Sequence, residues 1–200
     1  PELAPIEERI TTLARRIHGL VRLQKLENKQ KKLAVICYNY PPGENNLFGG
    51  AFLDTFVSVE YLLRELKKAG YQTEELSAQE IRQYFTEDGH CNCPQWTDSK
   101  VTEVTWKVDG IAYPIRGICT GNIFIGLQPV RENEDMVQES YHDRNRKPSG
   151  EYRAFYEWLR EGFQADAMLH FGTHGTLEFL PGRDNGMMEE CWPDQLVGAV

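Results

Sequence analysis

The 200-residue chain carries 30 acidic against 22 basic side chains, a formal net charge of −8, with 40% hydrophobic and 26% charged residues. That balance excludes a disordered chain and supports a packed core. It also argues against a nucleic-acid binder or a protein drawn to anionic lipid, both of which need clustered Lys and Arg.

No apolar run reaches the length of a membrane span, and the charged N-terminus lacks the apolar stretch of a signal peptide. A cytoplasmic location is therefore expected. The five cysteines, an odd number in a chain of this size, do not describe a disulfide scaffold. Opening on Pro1 and stopping at Val200, the sequence reads as an internal fragment of a longer protein.

Residues 3–26 place Leu3, Ile6, Ile10, Leu13, Ile17, Leu20 and Leu23 at helical spacing, which predicts an amphipathic helix packed on a neighbour or a coiled-coil seam. A Lys-rich linker, Lys29–Lys32, follows. The predicted organisation is thus an N-terminal helix and linker over 1–30 and an α/β segment over 31–200, incomplete at its C-terminus. Leu33–Tyr38 is a short continuous apolar run, the pattern of a strand buried on both faces. The turn-rich stretch Asn39–Gly50 leads to a helix over 53–69 that Gly70 should end. Ser77-Ala-Gln-Glu80 is a capping box opening a short helix through Phe85.

His90-Cys91-Asn-Cys93 lies in a predicted loop, where a metal reading competes with incidental thiols, since no second Cys pair stands at zinc-ribbon spacing. Val101–Val108 and Ile111–Ile115, joined by Asp109-Gly110, predict a β-hairpin. Asn122–Gly126 predicts a second buried strand ending at Gln128-Pro129. Residues 131–149 are polar, and His142 there reads as a surface or structural histidine. Ser149 should cap a helix running to Phe163, whose Tyr152, Phe155, Tyr156 and Trp158 read as core rather than as a stacking platform. Ala167–Phe171 is a third buried strand. Strands alternating with helices imply an α/β fold, a mainly parallel, Rossmann-like sheet with flanking helices, plus the hairpin and the N-terminal helix.

If the three buried strands are parallel, the loops Asn39–Gly50, Gln128 onward and Gly172–Gly182 leave the same edge, where ligands bind in open α/β folds. The third loop is the richest. His170, His174 and Glu178 recur at spacings of four, but Gly172 and Gly175 favour a loop over a helix, and the pattern is not H-E-x-x-H. Two imidazoles and a carboxylate can bind a transition metal or move protons; a Gly-rich turn with one hydrogen-bonded core histidine is the competing account. Glu178, between Leu177 and Phe179, is a candidate acid/base group. No stretch has the glycine and lysine spacing of a nucleotide phosphate loop.

The stretch Ala165-Asp-Ala-Met-Leu-His170-Phe-Gly-Thr-His174-Gly-Thr-Leu-Glu178-Phe-Leu-Pro-Gly182, followed by Cys191-Trp-Pro-Asp194, resembles the signature of the large, tetrapyrrole-binding subunit of ATP-dependent metal chelatases of the cobalt/magnesium type. Asn39-Tyr-Pro, Asn122–Pro129, Tyr141-His-Asp143 and Phe155-Tyr-Glu-Trp158 agree with it in order, so the similarity spans residues 33–200. The resemblance implies insertion of a divalent metal substrate, Co²⁺ or Mg²⁺, into a tetrapyrrole. It implies ATP hydrolysis by separate AAA+ partner subunits, with adaptor subunits, rather than by this chain.

The resemblance makes His174 and Glu178 the candidate catalytic residues, joined by His170 as candidate metal ligands. Asn39, Tyr40 and Gln128 are the candidates for the tetrapyrrole site. Arg183-Asp184-Asn185 stands where the family pattern has Lys and an apolar residue, which leaves the metal open. A fragment of this size is expected to be inactive alone. The rival readings are a non-catalytic tetrapyrrole-binding module of the same family and a metal-dependent hydrolase using His170, His174 and Glu178.

Overall fold

A computed structural model describes residues 4–38, 47–50, 52–86, 104–131, 147–172, 177, 180–183 and 185–200. Its centre is β1, Leu33–Cys37, flanked in parallel by β5, Ile123–Leu127, and β6, Ala167–Phe171. A further strand, β4, Gly117–Thr120, adds antiparallel to β5, giving the order β4-β5-β1-β6. The expected mainly parallel α/β sheet is therefore present, and its antiparallel addition is β4. The hairpin of β2, Thr105–Val108, and β3, Ile111–Pro114, forms its own two-stranded sheet.

Alternation along the central strands explains why β1 reads as a continuous apolar run: both faces are covered. Val35, Cys37, Ile123 and Ile125 pack with Phe56, Val59 and Leu63 of α2, Thr55–Lys68, and with Ile81 of α3, Ala78–Thr86. Ala34, Ile36, Phe124 and Met168 face the opposite way. There they meet Tyr152, Phe155 and Tyr156 of α4, Gly150–Glu157, and Trp158 and Leu159 of the π-helical turn Trp158–Gly162 that continues it. The aromatics of this helix are core, as their spacing predicts.

Local signals set the element ends. Asp54 accepts a hydrogen bond from the Val57 amide at 3.1 Å and caps α2. At its far end the Gly70 and Tyr71 amides donate to the Lys67 and Leu66 carbonyls, a Schellman motif with Gly70 at φ +86°. Ser77 and Glu80 exchange backbone-to-side-chain hydrogen bonds at 2.8 and 3.2 Å, completing the capping box of α3 and holding the Glu80 carboxyl below its usual range. Asp109 and Gly110 both take positive φ, +52° and +82°, as a tight type I′ hairpin turn requires.

The N-terminal helix α1, Glu7–Lys25, departs from expectation. Its apolar row Ile6, Ile10, Leu13, Ile17 and Leu20 is exposed, with Leu20 61% accessible, so that row does not pack on this chain. Charge holds the helix instead. Arg9 and Arg16 donate to the two carboxylate oxygens of the buried Asp194 at 2.8 and 2.6 Å, from the short helix α5, Trp192–Val197; Arg22 pairs with Asp166. The Lys29–Lys32 segment is likewise tied down: the Asn122 side chain donates to the Lys29 carbonyl, and the Lys32 amide donates to Asp166.

This tie has a worked pH dependence. Burial pushes the Asp194 carboxyl up, but the hydrogen bonds from Arg9 and Arg16 and their charges outweigh it and hold it below the ordinary value. A depressed folded-state pKa contributes stability above the unfolded value, about 3.9, and that contribution is lost as pH falls through the folded value. Hydrogen exchange in α1, corrected for intrinsic rates, should stay flat from neutral pH down to about 4 and accelerate below it. Asp194→Asn should accelerate it at pH 7 already, by roughly threefold to tenfold for two pairs of partly exposed strength.

Candidate functional site

Because β1, β5 and β6 are parallel and in register through Cys37↔Leu127 and Cys37↔Phe171, their following segments all leave one edge. That is the convergence the sequence required of a site. The Gln128 amide extends the ladder by donating to the Cys37 carbonyl at 2.9 Å. Beyond it, the feet of the polar 131–149 stretch are drawn together: the Ser149 amide donates to the Arg131 carbonyl at 2.9 Å, and the Ser149 hydroxyl to the Val130 carbonyl at 3.3 Å. The same hydroxyl accepts from the Tyr152 amide at 3.1 Å and caps α4. Arg131 is fully buried at this point, a charged side chain beneath the edge.

His170 is the sequence-predicted site residue that the structure describes most fully. It pairs in register with Ile36, so its side chain shares the α4 face of the sheet. There its Nε2 lies 2.8 Å from the Tyr156 hydroxyl. Tyr38, at the end of β1, has its ring centroid 6.1 Å from that of His170. Gly172, just after β6, permits this closeness: a Cβ there would stand 2.7 Å from the Tyr38 ring. Half-buried, His170 has its pKa pushed below the ordinary value by desolvation, so the ring is neutral at pH 7.

Gln128 is buried, and its amide nitrogen donates to the Tyr152 hydroxyl at 3.0 Å and also to the Tyr156 hydroxyl. Tyr156 is fully buried; desolvation first, then Tyr152, pushes its phenol well above its usual range, so it keeps its proton. Sequence reasoning does not reach Tyr156 as a polar partner of His170, or Tyr152 as a partner of Gln128. The tyrosines' i, i+4 spacing is visible, but which strand residues they meet depends on the register of the sheet.

Asn39, Tyr40, His174 and Glu178 lie outside the described residues, as do His90, Cys91, Cys93 and His142. Among the described residues no group of three His, Cys, Asp or Glu side chains gathers as a metal site, and Cys37, Cys119 and Cys191 are free thiols. The end of the long signature stretch is well anchored. The Trp192 amide donates to the Pro181 carbonyl at 3.0 Å, and the buried Cys191 Sγ accepts from the Arg183 and Met188 amides. No described helix is long and apolar enough to cross a membrane.

Known proteins share both the sequence pattern and the fold. The CobN/Magnesium Chelatase family model matches residues 1–109 and 95–200. The magnesium-chelatase H-subunit of Rhodobacter capsulatus is 34% identical over 98% of this chain, and aerobic cobaltochelatase subunit CobN of Pseudomonas aeruginosa is 30% identical over 97%. The chain spans only 19% and 18% of those two relatives. The catalytic subunit of cobaltochelatase from Mycobacterium tuberculosis shares the fold, with a TM-score of 0.74 at 24% identity over 98% of this chain and 19% of that one. A family match running from end to end, over a sheet whose three parallel strands open on one edge, leads to one assignment: the chain belongs to the CobN/magnesium chelatase family.

Proposed function

We propose that this chain is part of the large subunit of an ATP-dependent chelatase that inserts a divalent metal, Co²⁺ or Mg²⁺, into a tetrapyrrole. The observation that carries the reading is the convergence of the β1, β5 and β6 exits on one sheet edge in a chain of this family, with His170 at the head of the signature stretch. Insertion of M²⁺ into a free-base macrocycle forms metal–nitrogen bonds and releases two pyrrole protons. The site must therefore accept two protons and strip water from the cation.

In this reading His174 and Glu178 supply the base and the metal-delivery ligand, and His170 supports them. Asn39 and Tyr40 belong to the tetrapyrrole side of the site, and the buried Gln128 supports it from beneath. ATP is hydrolysed by AAA+ partner subunits acting with an adaptor subunit, in the cytoplasm. The 200-residue chain alone is inactive in this reading, because it holds only part of the site.

Absorbance titration of the complete protein with a water-soluble porphyrin, followed by insertion assays with Mg²⁺ and with Co²⁺ in the presence of ATP and partner ATPase subunits, tests it. Binding together with ATP-dependent insertion is the expected result. Binding without insertion under any of these conditions would identify a macrocycle-binding module. No binding, with ATP-independent hydrolysis by the chain, would identify a metal-dependent hydrolase.

A further inference from the structure

We infer that Gln128 and Tyr156 form a buried relay that fixes His170 in its Nδ1–H tautomer, making these two positioning residues for His170, with Tyr152 a second acceptor for the Gln128 amide. The first bonds of the relay, those from Gln128, have a fixed direction. The Gln128 amide nitrogen, which carries two hydrogens and accepts none, faces both tyrosine hydroxyls. Tyr156 accepts from Gln128 and in this arrangement turns its own hydrogen to His170 rather than to the neighbouring Tyr152 hydroxyl. The His170 Nε2, 2.8 Å away, takes it. A neutral imidazole has one protonated and one bare nitrogen, so a bare Nε2 places the proton on Nδ1.

Burial is what makes the relay directional. Gln128, Tyr152 and Tyr156 are 4%, 0% and 0% exposed, so water does not compete for their hydrogens and each unsatisfied group would cost the desolvation penalty in full. The opposite arrangement is chemically whole as well. With the amide oxygen facing the tyrosines, both hydroxyls would donate to it, and His170 would have to donate from Nε2. The side-chain orientation of one glutamine thus biases which His170 nitrogen carries the proton.

The consequence is a division of labour among the signature histidines, and this part rests on the chelatase reading. With Nε2 committed to Tyr156, His170 has only Nδ1 left, and Nδ1 bears a hydrogen. It serves as a hydrogen-bond donor that orients a neighbouring group, not as a base or metal ligand. Proton acceptance and metal delivery then fall to His174 and Glu178. Gln128 acts on the site through Tyr156 and His170 rather than by touching the macrocycle.

Long-range ¹H–¹⁵N correlation of the histidine rings in the ¹⁵N-histidine-labelled chain tests the tautomer directly, with the His170 signals identified by their loss in His170→Gln. In the unmodified chain at pH 8 the expected pattern is a protonated-type Nδ1 and a bare-type Nε2. Tyr156→Phe should abolish that pattern and move His170 toward the Nε2–H form. It should also raise the His170 pKa, because the lost hydrogen bond existed only with the neutral ring. Tyr152→Phe removes a hydroxyl from the same helix and the same amide but spares the Tyr156–His170 bond, so it should leave the tautomer in place.

An Nε2–H pattern in the unmodified chain would overturn the inference whatever the variants do, as would an unchanged pattern in folded Tyr156→Phe. Neither measurement uses a tetrapyrrole or an ATPase partner. Failure here leaves the chelatase reading standing, and failure of that reading leaves the tautomer untouched.

Discussion

If the chelatase reading holds, replacing both His174 and Glu178 by Ala in the complete subunit should lower the metal-insertion rate by at least about 100-fold, the scale of losing positioned general acid/base catalysis, while porphyrin binding changes little. The expectation follows from the proton balance. Two pyrrole protons must leave as the metal enters, and a neutral imidazole and a carboxylate can take one each. In the chelatase reading, groups that act on the leaving protons should show their loss in the rate of insertion rather than in affinity.

The single variants should not add up, because two groups serving one event act as a unit. His174→Ala and Glu178→Ala are each expected to approach the loss seen in the double variant. A double variant that still inserts metal at the normal rate would remove these residues from the chemistry. A variant that loses porphyrin binding in parallel with activity would move them from proton transfer to substrate recognition. His170→Gln supplies the contrast: if His170 orients rather than reacts, its loss should be milder than that of either partner.

Much of the fold is legible in the sequence because its signals are local. The run Leu33–Tyr38 announces a strand buried on both faces, Gly70 and Ser77 mark helix ends, Asp109-Gly110 names its own turn, and Ser149 caps α4. β4 escapes such a reading because Gly117–Thr120 follows the hairpin after only Ile115 and Arg116 and returns at once through Gly121-Asn122, leaving four residues with just Ile118 and Thr120 buried. Gly121 is the hidden cue. At φ +58°, with the Gln72 carbonyl 2.3 Å from where a Cβ would be, no other residue fits that turn without displacement.

The apolar row of α1 carries helical periodicity but not the identity of what covers it, and here its charged residues, through Asp194, make the contacts within the chain. At the site, the residue types of the third loop are visible, and the parallel register places that loop's first histidine at the edge. Tyr156 behind His170 and Tyr152 beside Gln128 are not legible as partners of these residues. Their pairing needs the Ile36↔His170 register and the side of the sheet on which α4 lies, two facts that no local pattern contains.

Phe124→Ala should destabilise the chain by about 3–5 kcal/mol, a large part of the roughly 5–15 kcal/mol that holds a typical domain together. The ring lies across two glycines of neighbouring strands: a Cβ on Gly117 or Gly126 would stand 2.3 or 2.4 Å from it. It meets Trp158 edge-on at 4.8 Å and lies within 6.2 Å of Phe155 and 5.8 Å of Phe163. One side chain thus fills the space that two missing side chains leave and joins β4 and β5 to α4 and its π-helical continuation.

Alanine there leaves a cavity bounded by backbone on the sheet side, where the glycines have nothing to move into the gap. Urea unfolding should show a lower midpoint with an unchanged slope. Leu169→Ala, at a 44% exposed position on the edge strand, should change stability by less than about 1 kcal/mol. The effect should also reach the site. Phe155 and Trp158 flank the segment that carries Tyr156, so a shift of α4 into the cavity lengthens the Tyr156–His170 bond. Under conditions where the variant remains folded, its His170 ring signals should resemble those of Tyr156→Phe. Unperturbed signals would mean that the relay is held by its own hydrogen bonds and not by the packing beneath it.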